Sequence, residues 1–169
     1  DDGSCTYDLV GEWVFTNVVI DSTLIVSYME EVIDSLSTSG SRTLTETEDG
    51  PASLEFLSNG TVYAVEGGET NTSDYSTNGN VLIVNGVGSF HYAINNSNLS
   101  LTGGEEDDWQ EEIDLGNDTV MVDVYYLYTN TLNFTRNTSG VVNTNISQRV
   151  GNTNHSWLTK PKLPIIDAF

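Results

Sequence analysis

Positive charge is nearly missing from most of this sequence: between Asp1 and Thr135 the one basic residue is Arg42, set against 24 acidic residues. Over all 169 residues, 25 Asp and Glu face five Lys and Arg, for a formal net charge of −20. Such a surface repels phosphate backbones and anionic bilayers, so nucleic acid and membrane faces are excluded as partners, whereas cations and basic proteins are not. Long hydrophobic runs are missing too. None approaches the roughly 18 apolar residues of a membrane helix, and residues 1–8 lack a charged-then-apolar leader, so no membrane span is expected and the chain reads as already processed. Cysteine occurs once, at Cys5, which excludes an internal disulfide and leaves either a partner upstream of the sequence or a free thiol near a fraying end.

What is abundant is β-branched and aromatic residues alternating with polar ones between Asn and Gly punctuation, in a length that suits one domain. Leu54–Ser58 and Thr61–Val65 flank Asn59-Gly60, a pair suited to the two positive dihedrals of a type I′ turn. Asn78-Gly79 precedes Val81–Val84, Asn85-Gly86 leads toward Ser89–Ile94, and Asn95-Asn96 turns into Leu99–Thr102. Thr119–Tyr128 is the longest alternating stretch, and Thr131–Arg136 follows it. With Leu9–Ile20 and a weaker Arg42–Thr47, these segments predict about eight to ten short antiparallel strands closing as a barrel or sandwich. One segment breaks the pattern: Leu24, Ile25, Tyr28, Met29, Val32, Ile33 and Leu36 recur at helical spacing behind Ser22 and Thr23 as caps, which predicts a short helix covering one end.

Candidate chemistry is sparse. His91 on a strand and His155 in the Asn-rich tail accompany no Gly-x-Ser-x-Gly elbow, so no catalytic residue is assigned. Glu105–Asp114 holds seven carboxylates around Trp109, without the spacing of an EF-hand; this reads as a hydrated loop, with calcium as the open alternative. Neither a cofactor nor a resident metal is expected. Nine Asn-x-Ser/Thr sequons fit an Asn- and Thr-rich composition.

The order of these pieces carries a resemblance. Leu9-Val10-Gly11-Glu12-Trp13 is similar to the Gly-x-Trp first strand of lipocalins, and the Leu54–Val62 hairpin, Tyr75–Ile83 and Tyr92–Thr102 resemble later segments of the bacterial lipocalin-like family. The likeness spans about Leu9 to Arg136 and implies an all-β, antiparallel up-and-down barrel with one open mouth. The long C-terminal helix of eukaryotic lipocalins has no counterpart here. Asp1–Tyr7 resembles the end of an Asp-Asp-Gly-Ser-Cys repeat of secreted bacterial proteins, which implies a secreted or cell-surface bacterial protein and a disulfide from Cys5 to an upstream segment.

The sequence therefore divides into an acidic linker or repeat remnant, 1–8, a barrel, 9–136, and an extension, 137–169. Two noncatalytic roles stay open. One is a module holding a small apolar ligand against Trp13, Phe15, Phe56, Tyr63, Phe90 and Tyr92. The other is a structural or adhesive surface subunit with a filled barrel. The extension favours assembly: from Arg136 onward four basic residues face Asp167 alone. Trp157, Lys160, Lys162, Leu163, Ile165, Ile166 and Phe169 are its candidate partner-binding residues; Pro161 and Pro164 predict an extended tail, which either folds back over its own barrel or reaches a neighbouring copy head-to-tail. Removing residues 155–169 is expected to leave a folded monomer.

Overall fold

In a computed structural model of the chain, the residues described are 9–46, 50–137, 148–149 and 156–158. The strands are β1 (Gly11–Tyr28), β2 (Glu31–Val32), β3 (Thr38–Leu44), β4 (Ser53–Phe56), β5 (Thr61–Glu66), β6 (Glu69–Asn78), β7 (Val81–Val84), β8 (Gly88–Asn95), β9 (Asn98–Asp114), β10 (Thr119–Arg136) and β11 (Gln148–Arg149). Each of β4 to β9 pairs with the next, β4 also pairs β1, and β10 pairs β1, so the pairings close a ring of eight strands. β2 and β3 pair β1 outside that ring, and β11 adds to β6 in parallel at Thr70 and Asn71.

The chain divides into two compact units. Of the described residues, the first takes 9–19, 43–46, 50–103, 130–137, 148–149 and 156–158; the second takes 20–42 and 104–129. Within the first, alternate residues of each strand turn inward, as the two-residue period of a half-buried strand dictates. Leu54 and Phe56 of β4, Val62 and Ala64 of β5, Leu82 and Val84 of β7, Leu99 and Leu101 of β9, and Leu132 and Phe134 of β10 are buried. Burial on β1 changes parity between Phe15 and Val18, so Thr16 and Asn17 both leave the inner face. Outside, Asn133 donates to Asn17 at 2.8 Å and accepts from Ser100 at 2.7 Å. Within the second unit, Leu24 and Val26 of β1 and Val122, Val124, Tyr126 and Tyr128 of β10 are buried.

Two expectations are overturned. The helix over residues 22–36 does not form: β1 continues to Tyr28, turns at Met29-Glu30 and returns as β2, with Ser27 opposite Val32 and Tyr28 opposite Glu31. Leu24, Tyr28, Val32 and Leu36 recur every four residues, which two strand periods satisfy as well as one helical turn does. The run Val18-Val19-Ile20 and the neighbours Thr23, Ile25 and Val26 are β-branched, and that stiffness decides for strand. The acidic stretch is likewise no loop, because Glu105–Asp114 is the second half of β9. Side-chain bonds tie it to its partner β10: Tyr125 Oη of β10 gives a 2.7 Å bond to Glu106, Tyr128 Oη of β10 bonds Glu105, and Gln110 of β9 donates to Asp123 of β10 at 3.0 Å.

Turn chemistry differs in detail. At Asn59-Gly60 only the glycine has positive φ (89°), the loop spans Leu57–Gly60, and the Asn59 side chain accepts from the Thr61 amide at 3.0 Å. Two adjacent positive dihedrals occur instead at Gly67-Gly68 (60° and 82°) and at Met29-Glu30 (52° and 69°). The last pair lacks glycine, and each such residue costs about 1–2 kcal/mol.

Candidate functional site

The Gly-x-Trp segment is organised by a residue 123 positions after Trp13. Arg136, near the end of β10, lies with its guanidinium carbon 4.1 Å from the centre of the Trp13 ring. Its Nη1 donates to the Val10 carbonyl at 2.9 Å, while Trp13 Nε1 donates to the Leu9 carbonyl at 2.8 Å. Gly11 has φ 135°, and a Cβ placed there would stand 2.7 Å from Arg136 Nη1. The dihedral favours glycine here, and a Cβ would push the Arg136 guanidinium aside. Trp13 is fully buried, so the cation covers its face in a site where such a contact is worth about 2 kcal/mol.

The other candidate wall residues divide between the faces of their strands. Phe56, Phe90 and Tyr92 are buried, each against protein: Phe56 meets Tyr75 edge-on at 4.9 Å, Phe90 stacks on Trp157 at 5.5 Å with planes 14° apart, and Tyr92 donates to the Gly79 carbonyl at 3.2 Å. Phe15 is half-buried and meets Phe134 edge-on at 5.9 Å. Tyr63 is half-buried between inward-facing Val62 and Ala64, which puts it on the other face of β5.

Trp157 itself is 1% exposed, and its Nε1 is buried with no hydrogen-bond partner among the described residues. Gly103 forms part of this seat: a Cβ there would come within 3.1 Å of Phe90 and 3.3 Å of Leu158. The first tail residue assigned to partner binding is thus a core side chain of its own chain, and a deletion that begins at 155 removes it. Lys160, Lys162, Leu163, Ile165, Ile166 and Phe169 lie outside the described residues, as do Cys5 and His155. His91 is exposed on β8, opposite Val81 and Thr102.

Surface grooves lined entirely by described residues include three. On the first unit, one of about 390 Å³ is uncharged, with Asn17, Asn95, Asn98, Ser100 and Asn133 among its walls. On the second unit, one of about 300 Å³ lies among Glu105, Glu106, Asp107, Tyr126 and Tyr128, and another of about 340 Å³ joins Asp108, Asp123, Trp109, Tyr125, Ile25 and Val124. The hydrogen bond to Glu106, foremost, and nearby carboxylates hold the Tyr125 hydroxyl above the usual tyrosine range. Trp109 is half-buried and donates to Glu111 at 3.1 Å. Among the described residues no three His, Cys, Asp or Glu side chains converge as metal ligands would, since a strand sends successive acids of β9 to opposite faces. No helix among them is long and apolar enough to cross a membrane.

No family model matches the chain, and no curated protein or solved structure compared with it is significantly similar.

Proposed function

We propose that the chain is an exported, noncatalytic lipocalin-like barrel that serves as a surface subunit and joins copies head-to-tail through its C-terminal segment. The observation that carries this reading is the occupied interior. Trp13, Leu54, Phe56, Val62, Leu82 and Leu101 expose no surface at all, so a water-sized hole beside them has no room, and Trp157 of the same chain covers Phe90. The closed ring of pairings supports the barrel, and the lipocalin likeness rests on the Gly11-Glu12-Trp13 entry strand and the order of the later segments. Export rests on the Asp-Asp-Gly-Ser-Cys string and the Asn-rich, lysine-poor surface.

Sedimentation velocity of the full chain tests assembly. Salt-sensitive association is expected, and it should be lost in the Lys160→Glu, Lys162→Glu double variant. A full chain that stays monomeric at high concentration refutes the reading.

A carrier of a small apolar ligand is the second reading, favoured by the seat on Phe90. Trp157 leaves a buried donor unpaired there, which costs about 1–3 kcal/mol, so a flat aromatic ligand has a position to contest.

A further inference from the structure

The 340 Å³ groove of the second unit combines three chemistries in one place. Ile25 supplies an apolar floor, Trp109 and Tyr125 supply aromatic groups, and Asp108 and Asp123 supply charge. Its walls are held by their own bonds, Gln110 to Asp123 and Tyr125 to Glu106. Around it the field has one sign, since residues 20–42 and 104–129 contain thirteen acidic residues and the single cation Arg42. A groove of this kind suits an occupant that is cationic and apolar together: the ammonium meets the carboxylates and an aromatic face, and the aliphatic groups meet the floor.

One segment of this chain has that composition. Residues 159–169 carry both lysines of the sequence, Lys160 and Lys162, with Leu163, Ile165, Ile166 and Phe169 behind them and one acid, Asp167. Pro161 and Pro164 keep it from coiling into a helix, so it can present its side chains along a groove at a reduced ordering cost. The segment is tethered close after Trp157, which is fixed on Phe90.

We propose that the groove of Trp109, Tyr125, Asp108 and Asp123 is the receiving site for segment 159–169, with Lys160 or Lys162 against the two aspartates. This rests on the assembly reading only for the identity of the donor copy; the site itself is defined by the groove and the segment.

The two lysines being the only ones, zero-length carbodiimide cross-linking of the full chain reads the site directly. An equimolar mixture of ¹⁴N- and ¹⁵N-labelled chains is cross-linked at low salt and digested, and the linked peptides are identified by mass. The expected dominant products join Lys160 or Lys162 to Asp108 or Asp123, with yield falling about fivefold or more when salt shortens the screening length from roughly 10 to 3 Å. In the Asp108→Asn, Asp123→Asn double variant, those links should vanish without the same yield appearing elsewhere. Links spread evenly over the acids of the chain, links confined to other carboxylates, or no lysine links overturn the site. The isotope pattern judges assembly separately. Mixed-isotope links at these aspartates support both readings; single-isotope links there keep the site and remove head-to-tail assembly; mixed-isotope links elsewhere keep assembly and remove the site.

Discussion

The two units share β1, β9 and β10 yet differ in what their outward positions carry. In the first, amides and hydroxyls face out and satisfy one another, as in the Asn17, Asn133 and Ser100 chain or the 3.0 Å contact of Thr16 with Thr135. In the second, exposed carboxylates of β9 are answered by tyrosine hydroxyls of the facing strand β10, and Gln110 of β9 donates to Asp123 of that strand. Most buried inward positions are apolar in both, with Thr70 and Asn130 of the first unit as buried polar exceptions and Glu105 of the second bonded to the inward Tyr128. The comparison teaches that the fold is specified by one residue in two, which leaves the other half of each strand free for recognition.

The largest expected effect sharpens the first unit's side of this contrast. Trp13→Ala removes a buried indole together with its bond to Leu9 and its contact with Arg136, and should cost about 3–5 kcal/mol in denaturant unfolding. Trp157→Ala should cost a similar amount if the seat on Phe90 is core, whereas Trp157→Phe, which keeps a ring and removes the unpaired donor, should recover most of it. Equal losses for the two Trp157 variants would break the stacking account.

In the second unit the strained turn predicts a gain. Replacing Met29-Glu30 by Asn-Gly relieves two non-glycine residues at positive φ and should stabilise by about 1–2 kcal/mol, provided the exposed tip at Met29 is not itself held by a partner. An unchanged unfolding midpoint would show that the turn is shaped differently in solution.

The smallest effect is electrostatic. Glu55 sits directly opposite Glu12 across β4 and β1, and partial burial, then the Glu12 charge, hold its carboxyl above the usual glutamate range. A carboxyl raised by folding stabilises the native state below its unfolded pKa of 4.5, and that contribution is lost as pH rises through the folded value. At neutral pH Glu55→Gln should therefore gain a few tenths of a kcal/mol, little because solvent screens so open a pair. The gain should disappear when unfolding is measured near pH 3.5.

Much of the strand pattern was legible in the sequence. The Asn-Gly and Asn-Asn punctuation located the turns β4–β5, β6–β7, β7–β8 and β8–β9, while the Gly67-Gly68 turn between β5 and β6 was not read; the alternation from Val120 to Tyr128 located β10. The helix was misread because four-residue spacing fits both periods and β-branching was given too little weight. The acidic stretch was misread because charge density hid alternation; the rows facing it on β10 were the missing information. Arg136 could not be tied to Gly11 and Trp13 from sequence, since only ring closure brings positions so far apart together. Trp157 was read as a partner contact for want of its seat, formed by Phe90 and by the bare backbone of Gly103. Of the acidic groove, Trp109 among carboxylates was visible, while Tyr125, Asp123 and Ile25 become its neighbours only through pairing.

The central claim is that the ring is filled by its own chain and that recognition belongs to the outer surface. Titrating the full-length protein with the apolar fluorophore N-phenyl-1-naphthylamine tests it most directly. The account predicts no saturable binding to the intact chain and the appearance of one site in Trp157→Ala, where the seat on Phe90 is vacated. Saturable one-to-one binding to the unmodified protein would contradict it and make the chain a carrier.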